Sequence, residues 1–215
     1  MSALALDALS ELATARRRVG NGARLFSDGD PSRALYGVTS GFFKTVVLEP
    51  GGGEQVTGFS IPGDLLGLEG LGSPRHRVSA VALERGEVLV IPLASIEARV
   101  RADARLQRLI HAALARDIAI KQHLLLALGA MRAEERLAAF LLDLSARYRR
   151  RGYPASELRL PMTRADIGHH LGMTLETVSR LLTRFERLGA IALGRRRLTL
   201  LDGPALVRLT RGAER

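Results

Sequence analysis

A chain of 215 residues that is 47% apolar has room for two small domains, each with its own core. The formal net charge is +10, and it is uneven: residues 132–215 hold 17 Lys and Arg against 9 Asp and Glu, residues 1–131 hold 15 against 13, so a polyanion would be met at the C-terminal end. There is no cysteine, which excludes disulfides, thiolate zinc sites and cysteine-ligated iron–sulfur clusters, and no stretch reaches the roughly 18 uninterrupted apolar residues of a membrane-spanning helix.

The segment Ser2 to Val19 is rich in leucine and alanine. Asp7 and Glu11 interrupt it and no apolar signal core follows its arginines, so no secretory leader is expected and the protein is expected to be cytoplasmic. Short apolar runs punctuated by glycine come next: Leu25-Phe26, Leu35 to Val38, Ser40 to Leu48, Glu54 to Ile61, Arg77 to Leu83 and Val88 to Ile91. Turns are marked by Asp28-Gly29-Asp30-Pro31, Glu49-Pro50-Gly51 and Pro62-Gly63-Asp64. This spacing predicts seven or eight strands in an antiparallel barrel or sandwich.

From about Pro92 the period changes. Ser95 to Met131 is rich in Leu, Ala and Arg, and only Gly129 interrupts it, which predicts one long helix. One stripe is Leu106, Ile110, Ala113, Asp117, Ile120 and Leu124; the other is Leu114, Ile118, Lys121, Leu125 and Leu128. A helix apolar on two sides buries both most economically with one side on its own β domain and the other on a partner helix. Spacing leaves open which stripe meets the partner; Leu114, Ile118, Lys121, Leu125 and Leu128 are the candidate dimer interface.

Thr163 to Ile191 is the most informative stretch. Thr163 with Asp166 forms a variant capping box, so a helix should begin at Arg164 and run to about Leu171, where Gly172 can take the left-handed conformation that ends it. Thr174 can cap a second helix, in which Val178, Leu181, Leu182, Phe185 and Leu188 lie at helical spacing on an inner face and Gly189 closes the end. Glu176, Ser179 and Arg180, at i, i+3 and i+4, project from the outer side of its first turns. Arginine suits bidentate donation to guanine O6 and N7, glutamate accepts from cytosine N4, and serine serves either role. The competing reading of Glu176 and Arg180 is a surface ion pair.

Ala190 to Leu201 reads as a hairpin, or wing, with Gly194, Arg195, Arg196 and Arg197 at its turn, placed for phosphate contact. Thr163, Arg164, Thr174, Thr177 and Arg184 complete the candidate backbone contacts. Of the histidines, His76, His111, His123, His169 and His170, none falls in a metal-ligand spacing, and no catalytic constellation is present. No cofactor is expected.

With LFSDGD at Leu25 to Asp30, LYGVTSGFFK at Leu35 to Lys44, EQVTGFSIPGDLLG at Glu54 to Gly67 and AEERLAAFLLDLS at Ala133 to Ser145, the chain resembles the Crp/Fnr family of bacterial transcription regulators, most closely its Fnr branch, over residues 20–210. The resemblance implies an α+β chain: a cyclic-nucleotide-binding-like β-roll sensor domain over 1–100, a long dimerisation helix over 101–131 and a winged helix-turn-helix over 132–215. It implies a homodimer reading a palindrome of TTGAT-type half-sites in double-stranded DNA, and an activator that meets RNA polymerase through the loop Leu71 to His76. Three departures qualify it. The Fnr branch holds its oxygen-sensing cluster on cysteines, which this chain lacks. The cyclic-AMP receptor branch places a glutamate after Gly67 and an arginine before Ser79, where this chain has Leu68 and Val78, so cyclic-nucleotide binding is not expected. The recognition helix begins with Leu175 in place of that branch's arginine. The alternative keeps the DNA head and makes the β-roll a ligand or haem sensor, with His76, His111 or His123 as haem ligands.

Overall fold

The computed structural model describes residues 2–48 and 51–210, with backbone only for residues 2–5, so Glu49 and Pro50 of the second expected turn lie outside the described residues. The chain forms two compact units, residues 1–121 and 122–215.

In the first unit, strands β1 (Ala15–Val19), β3 (Ala34–Ser40), β6 (Leu65–Leu66) and β8 (Gly86–Pro92) form a sheet in the order β1-β8-β3-β6. Strands β2 (Arg24–Phe26), β4 (Phe43–Leu48), β5 (Glu54–Ser60) and β7 (Ser79–Ala82) form a second, in the order β2-β7-β4-β5. All pairings are antiparallel. Phe26, Val38, Phe43, Leu66, Ala80 and Val88 from both sheets share one buried cluster. Leu35, Leu89 and Ile91 join a second cluster with helix α1 (Ser2–Ser10), helix α2 (Leu93–Ala102) and the start of helix α3 (Ala104–Ala130). Strands β3 and β8 therefore supply side chains to two cores, which is why their sequences run apolar rather than alternating cleanly. Gly37 on β3 admits α1: a Cβ there would collide with the side chain of Leu6. The expected turns at Asp28 to Pro31 and at Pro62 to Asp64 are formed, and both are fastened by aspartate. Asp30 Oδ2 accepts from Ser27 N at 2.8 Å, and Asp64 Oδ2 from Ile61 N at 2.9 Å.

Two features depart from the sequence expectation. Strand β1, ARRRV, carries no apolar alternation; it is held by its ladder to β8 and by Glu87, which takes Arg16 at 3.2 Å and Arg18 at 3.5 Å. The expected single helix over Ser95 to Met131 is two helices, divided at Asp103, whose backbone is extended (φ −130°, ψ 94°). The break is a local cap: Asp103 Oδ1 accepts from Arg105 N at 2.9 Å and Leu106 N at 3.1 Å, and these backbone donors, Leu106 first, hold its carboxyl below the usual aspartate range.

Helix α3 buries Leu106, Ile110 and Ala113 in the second cluster, with Leu114 packed at its margin. Further along it leaves Ile118, Ile120, Leu125 and Leu126 exposed, at 55%, 46%, 68% and 64%. Asp117 and Lys121 pair with each other at 2.6 Å, so the charged member of each stripe is answered within the helix.

The second unit contains helices α4 (Ala133–Arg149), α5 (Arg164–Leu171), α6 (Leu175–Arg187) and α7 (Gly203–Thr210) with a sheet of β9 (Glu157–Arg159), β10 (Ile191–Leu193) and β11 (Arg197–Leu200) in the order β10-β11-β9. Leu137, Leu141, Leu144, Leu158, Ile167, Leu171, Phe185, Leu198 and Leu206 form its buried interior.

Candidate DNA-reading surface

Helix α5 starts as its sequence predicts. Thr163 Oγ1 accepts from Asp166 N at 3.0 Å while Asp166 Oδ2 accepts from Thr163 N at 2.9 Å, a reciprocal box that satisfies two otherwise orphaned donors. Gly172 ends the helix in the left-handed region, at φ 62°. Thr174 then caps α6 by accepting from Thr177 N at 3.2 Å. A further glycine that spacing did not flag sets the angle between the helices: a Cβ at buried Gly168 would collide with the Met173 carbonyl oxygen.

Val178, Leu181, Leu182 and Phe185 of α6 are buried as expected. Leu188 is not: it is 58% exposed, because the helix has reached its C-cap there and the chain turns away at Gly189, φ 68°. The opposite side carries Glu176 and Arg180, both exposed, and half-buried Ser179. Among the described residues neither Glu176 nor Arg180 is in an ion pair, so the surface-pair reading is not realised. The Glu176 carboxyl is held below the usual glutamate range by its own backbone N–H and by the Thr174 hydroxyl. An anion at the positive end of a helix is favoured there, and Glu176 stands as an ionised acceptor.

The other sequence-predicted residues fall on two neighbouring features. Thr163, Arg164, Thr174 and Thr177 sit at the starts of α5 and α6. Arg195, Arg196 and Arg197, all exposed, form the hairpin turn and the first residue of β11. Arg184 is exposed but meets Glu134 of α4 at 3.1 Å, so part of its charge is already answered.

Three positioning residues escaped sequence reasoning because they act across element boundaries, outside the spacing of any one helix or strand. Arg136 donates to Met131 O at 2.8 Å and to Gly172 O at 3.2 Å, tying α4 to the turn between the reading helices. Glu134 holds Arg184. Glu186 Oε1 accepts from Leu193 N at 2.9 Å, fastening the wing to the end of α6.

In the β-roll, the remaining residues singled out by sequence are packed inside. His76 is 1% exposed, its Nδ1 lies 2.9 Å from Glu69 Oε1 and its ring stacks on Phe26 at 3.8 Å. The Ser79 hydroxyl accepts from Asp28 N at 3.0 Å, and Val78 packs on the inter-sheet core. His111 and His123 are exposed on α3, His169 is exposed on α5, and His170 meets Phe140 edge-on at 5.8 Å. Among the described residues no group of three or more metal-ligating side chains assembles, and no helix is long and apolar enough to cross a membrane.

Comparison with known proteins agrees with this geometry. Residues 135–209 match a Crp-like helix-turn-helix domain, and residues 16–103 match a cyclic nucleotide-binding domain. The chain is 44% identical over 209 residues to the transcriptional regulatory protein Btr of Bordetella pertussis, covering 97% of this chain and 86% of that protein. It is 39% identical over 208 residues to the transcriptional activator protein Anr of Pseudomonas protegens, covering 97% and 85%. The solved structure of FixK2 from Bradyrhizobium japonicum superposes with a TM-score of 0.85 at 31% identity, over 93% of this chain and 98% of that one.

Proposed function

The chain belongs to the Crp/Fnr family of DNA-binding transcription regulators, and from that premise we propose that it acts as a homodimeric activator reading a palindrome of Fnr-type half-sites without an iron–sulfur cluster. The observation that carries this reading is the solvent side of α6, where Glu176, Ser179 and Arg180 stand over a buried apolar face. That presents an acceptor, a hydroxyl and a bidentate donor to successive base edges. Thr163, Arg164, Thr174, Thr177, Arg184 and the three wing arginines supply phosphate contacts, which set register and affinity.

Twofold pairing places two such heads about 34 Å apart on one face of the duplex. The dimerisation helix, residues 101–131, joins the sensor roll, 1–100, to the winged head, 132–215, and Leu114, Ile118, Lys121, Leu125 and Leu128 form its interface. The exposed Ile118 and Leu125 support that assignment. Exposed Leu126 lies beside the same face, whereas exposed Ile120 belongs to the other stripe. A cluster held by thiolates has no ligand among these 215 residues. The exposed part of the loop Leu71 to His76, at Gly72, Pro74 and Arg75, is the proposed contact to RNA polymerase, and the cytoplasm is the compartment where these partners meet.

Binding of the purified protein to a TTGAT-type palindrome and to its scrambled counterpart at physiological ionic strength tests the reading. A preference of at least a thousandfold supports it; equal affinity rejects it.

A further inference from the structure

Glu176, Arg180 and Arg184 follow one another at intervals of four along α6, so Arg184 stands one turn beyond Arg180 on the same flank of the reading helix. In the free protein its guanidinium is already engaged. Arg184 Nη1 lies 3.1 Å from Glu134 Oε2, although the arginine side chain is 59% exposed. Glu134 is the second residue of α4, and both partners belong to the second unit.

Capping of α4 does not require this acid. Glu135 Oε2 accepts from Arg132 N at 2.9 Å, which satisfies the donor that a carboxylate in this turn ordinarily serves. The helix start favours an anion at Glu134, yet Oε1 of its carboxylate is buried and has no hydrogen-bond partner. An acceptor left unmet away from water costs free energy, so the pairing of the other oxygen with Arg184 is the satisfaction this carboxylate has. A planar guanidinium takes a carboxylate or a phosphate through the same donors. The two anions therefore exclude each other at Arg184.

We propose that Glu134 is an autoinhibitory phosphate mimic, whose carboxylate withholds Arg184 and so lowers the affinity of the reading head for duplex of any sequence. The proposal rests on the DNA-binding reading and goes beyond it, because it assigns a residue that opposes binding. The pair is largely exposed on the arginine side, which makes the effect severalfold rather than absolute. Glu176, Ser179 and Arg180 keep their choice of bases, while contacts with random duplex are released more readily.

Titration of random-sequence and TTGAT-type palindromic duplexes with the full-length protein, over a range of salt, tests it. Glu134→Gln should tighten binding to both duplexes by roughly fivefold at low salt. It should also steepen the slope of log affinity against log salt by about 0.9, the mark of one added phosphate contact. Glu134→Ala, which offers no acceptor, should tighten binding at least as much. Adding Arg184→Gln to either variant should remove the gain and return the slope to the parent's.

Weaker binding by a Glu134→Gln protein with the parent's thermal midpoint would mean that the carboxylate aims Arg184 at the phosphate, and would overturn the proposal. A gain that survives Arg184→Gln would be a general charge effect and would overturn it as well. Unchanged affinity and slope would reduce the pair to a staple between α4 and α6. Absence of duplex binding by the parent protein would overturn the DNA-binding reading and the mimic together; a parent that binds, with variants that match it, would overturn the mimic alone.

Discussion

At the scale of the residue, α6 separates affinity from choice. Arg180 and Glu176 project from a helix whose other side is buried, so their truncation should leave the fold intact. Arg180→Ala should relax base preference at one position of each half-site and cost roughly 1–3 kcal/mol of specific binding, measured on a panel of single-base operator variants. An unchanged preference would contradict the role. Glu176 offers a check without DNA. Its carboxyl is depressed by its own backbone N–H and by Thr174, so its contribution to helix stability is present above the ordinary glutamate pKa and fades as pH falls through the lower folded value. Carbon-detected NMR titration should therefore place Glu176 below the ordinary glutamate value, and Thr174→Ala should move it back up.

At the scale of the element, the reading head is a set of caps and close approaches. Gly168→Ala drives a Cβ into the Met173 carbonyl oxygen, which is backbone and cannot swing aside; overpacking of this kind costs about 1–3 kcal/mol. Thermal unfolding should show the loss, and specific DNA affinity should fall with it as the angle between α5 and α6 opens. A midpoint equal to the parent's would contradict the role given to that glycine. These elements also show what can be read from the chain alone. The capping box at Thr163, the left-handed Gly172, the Thr174 cap and the buried stripe of α6 are local, and adjacent residues announce them. The break at Asp103 is local as well, yet it was missed because an aspartate flanked by alanines inside a leucine-rich run carries no glycine or proline signal. Strand β1 was hidden for another reason. Its three arginines obey no apolar period, and its stability comes from pairing with β8, some seventy residues away, through Glu87. Arg136 and Glu134 likewise act over distances that spacing cannot see.

At the scale of the whole molecule, the chain leaves four large apolar side chains of α3 open to solvent: Ile118, Ile120, Leu125 and Leu126. Ile118 and Leu125 lie on one stripe of the helix with Leu126 beside them, and exposed apolar residues so placed favour a partner. Replacing Ile118 and Leu125 by glutamate should yield monomers by analytical ultracentrifugation, with the fold retained because both positions are exposed already. A variant that stays dimeric would move the interface elsewhere. Dimerisation and DNA choice are linked, since each head covers only a few base pairs and the pair together specifies the site. The most direct measurement is accordingly the affinity of the purified protein for a symmetric TTGAT-type duplex against the same duplex with one half-site scrambled, at physiological salt. The symmetric duplex should bind one dimer at least a hundredfold more tightly; equal binding of the two duplexes would contradict the account.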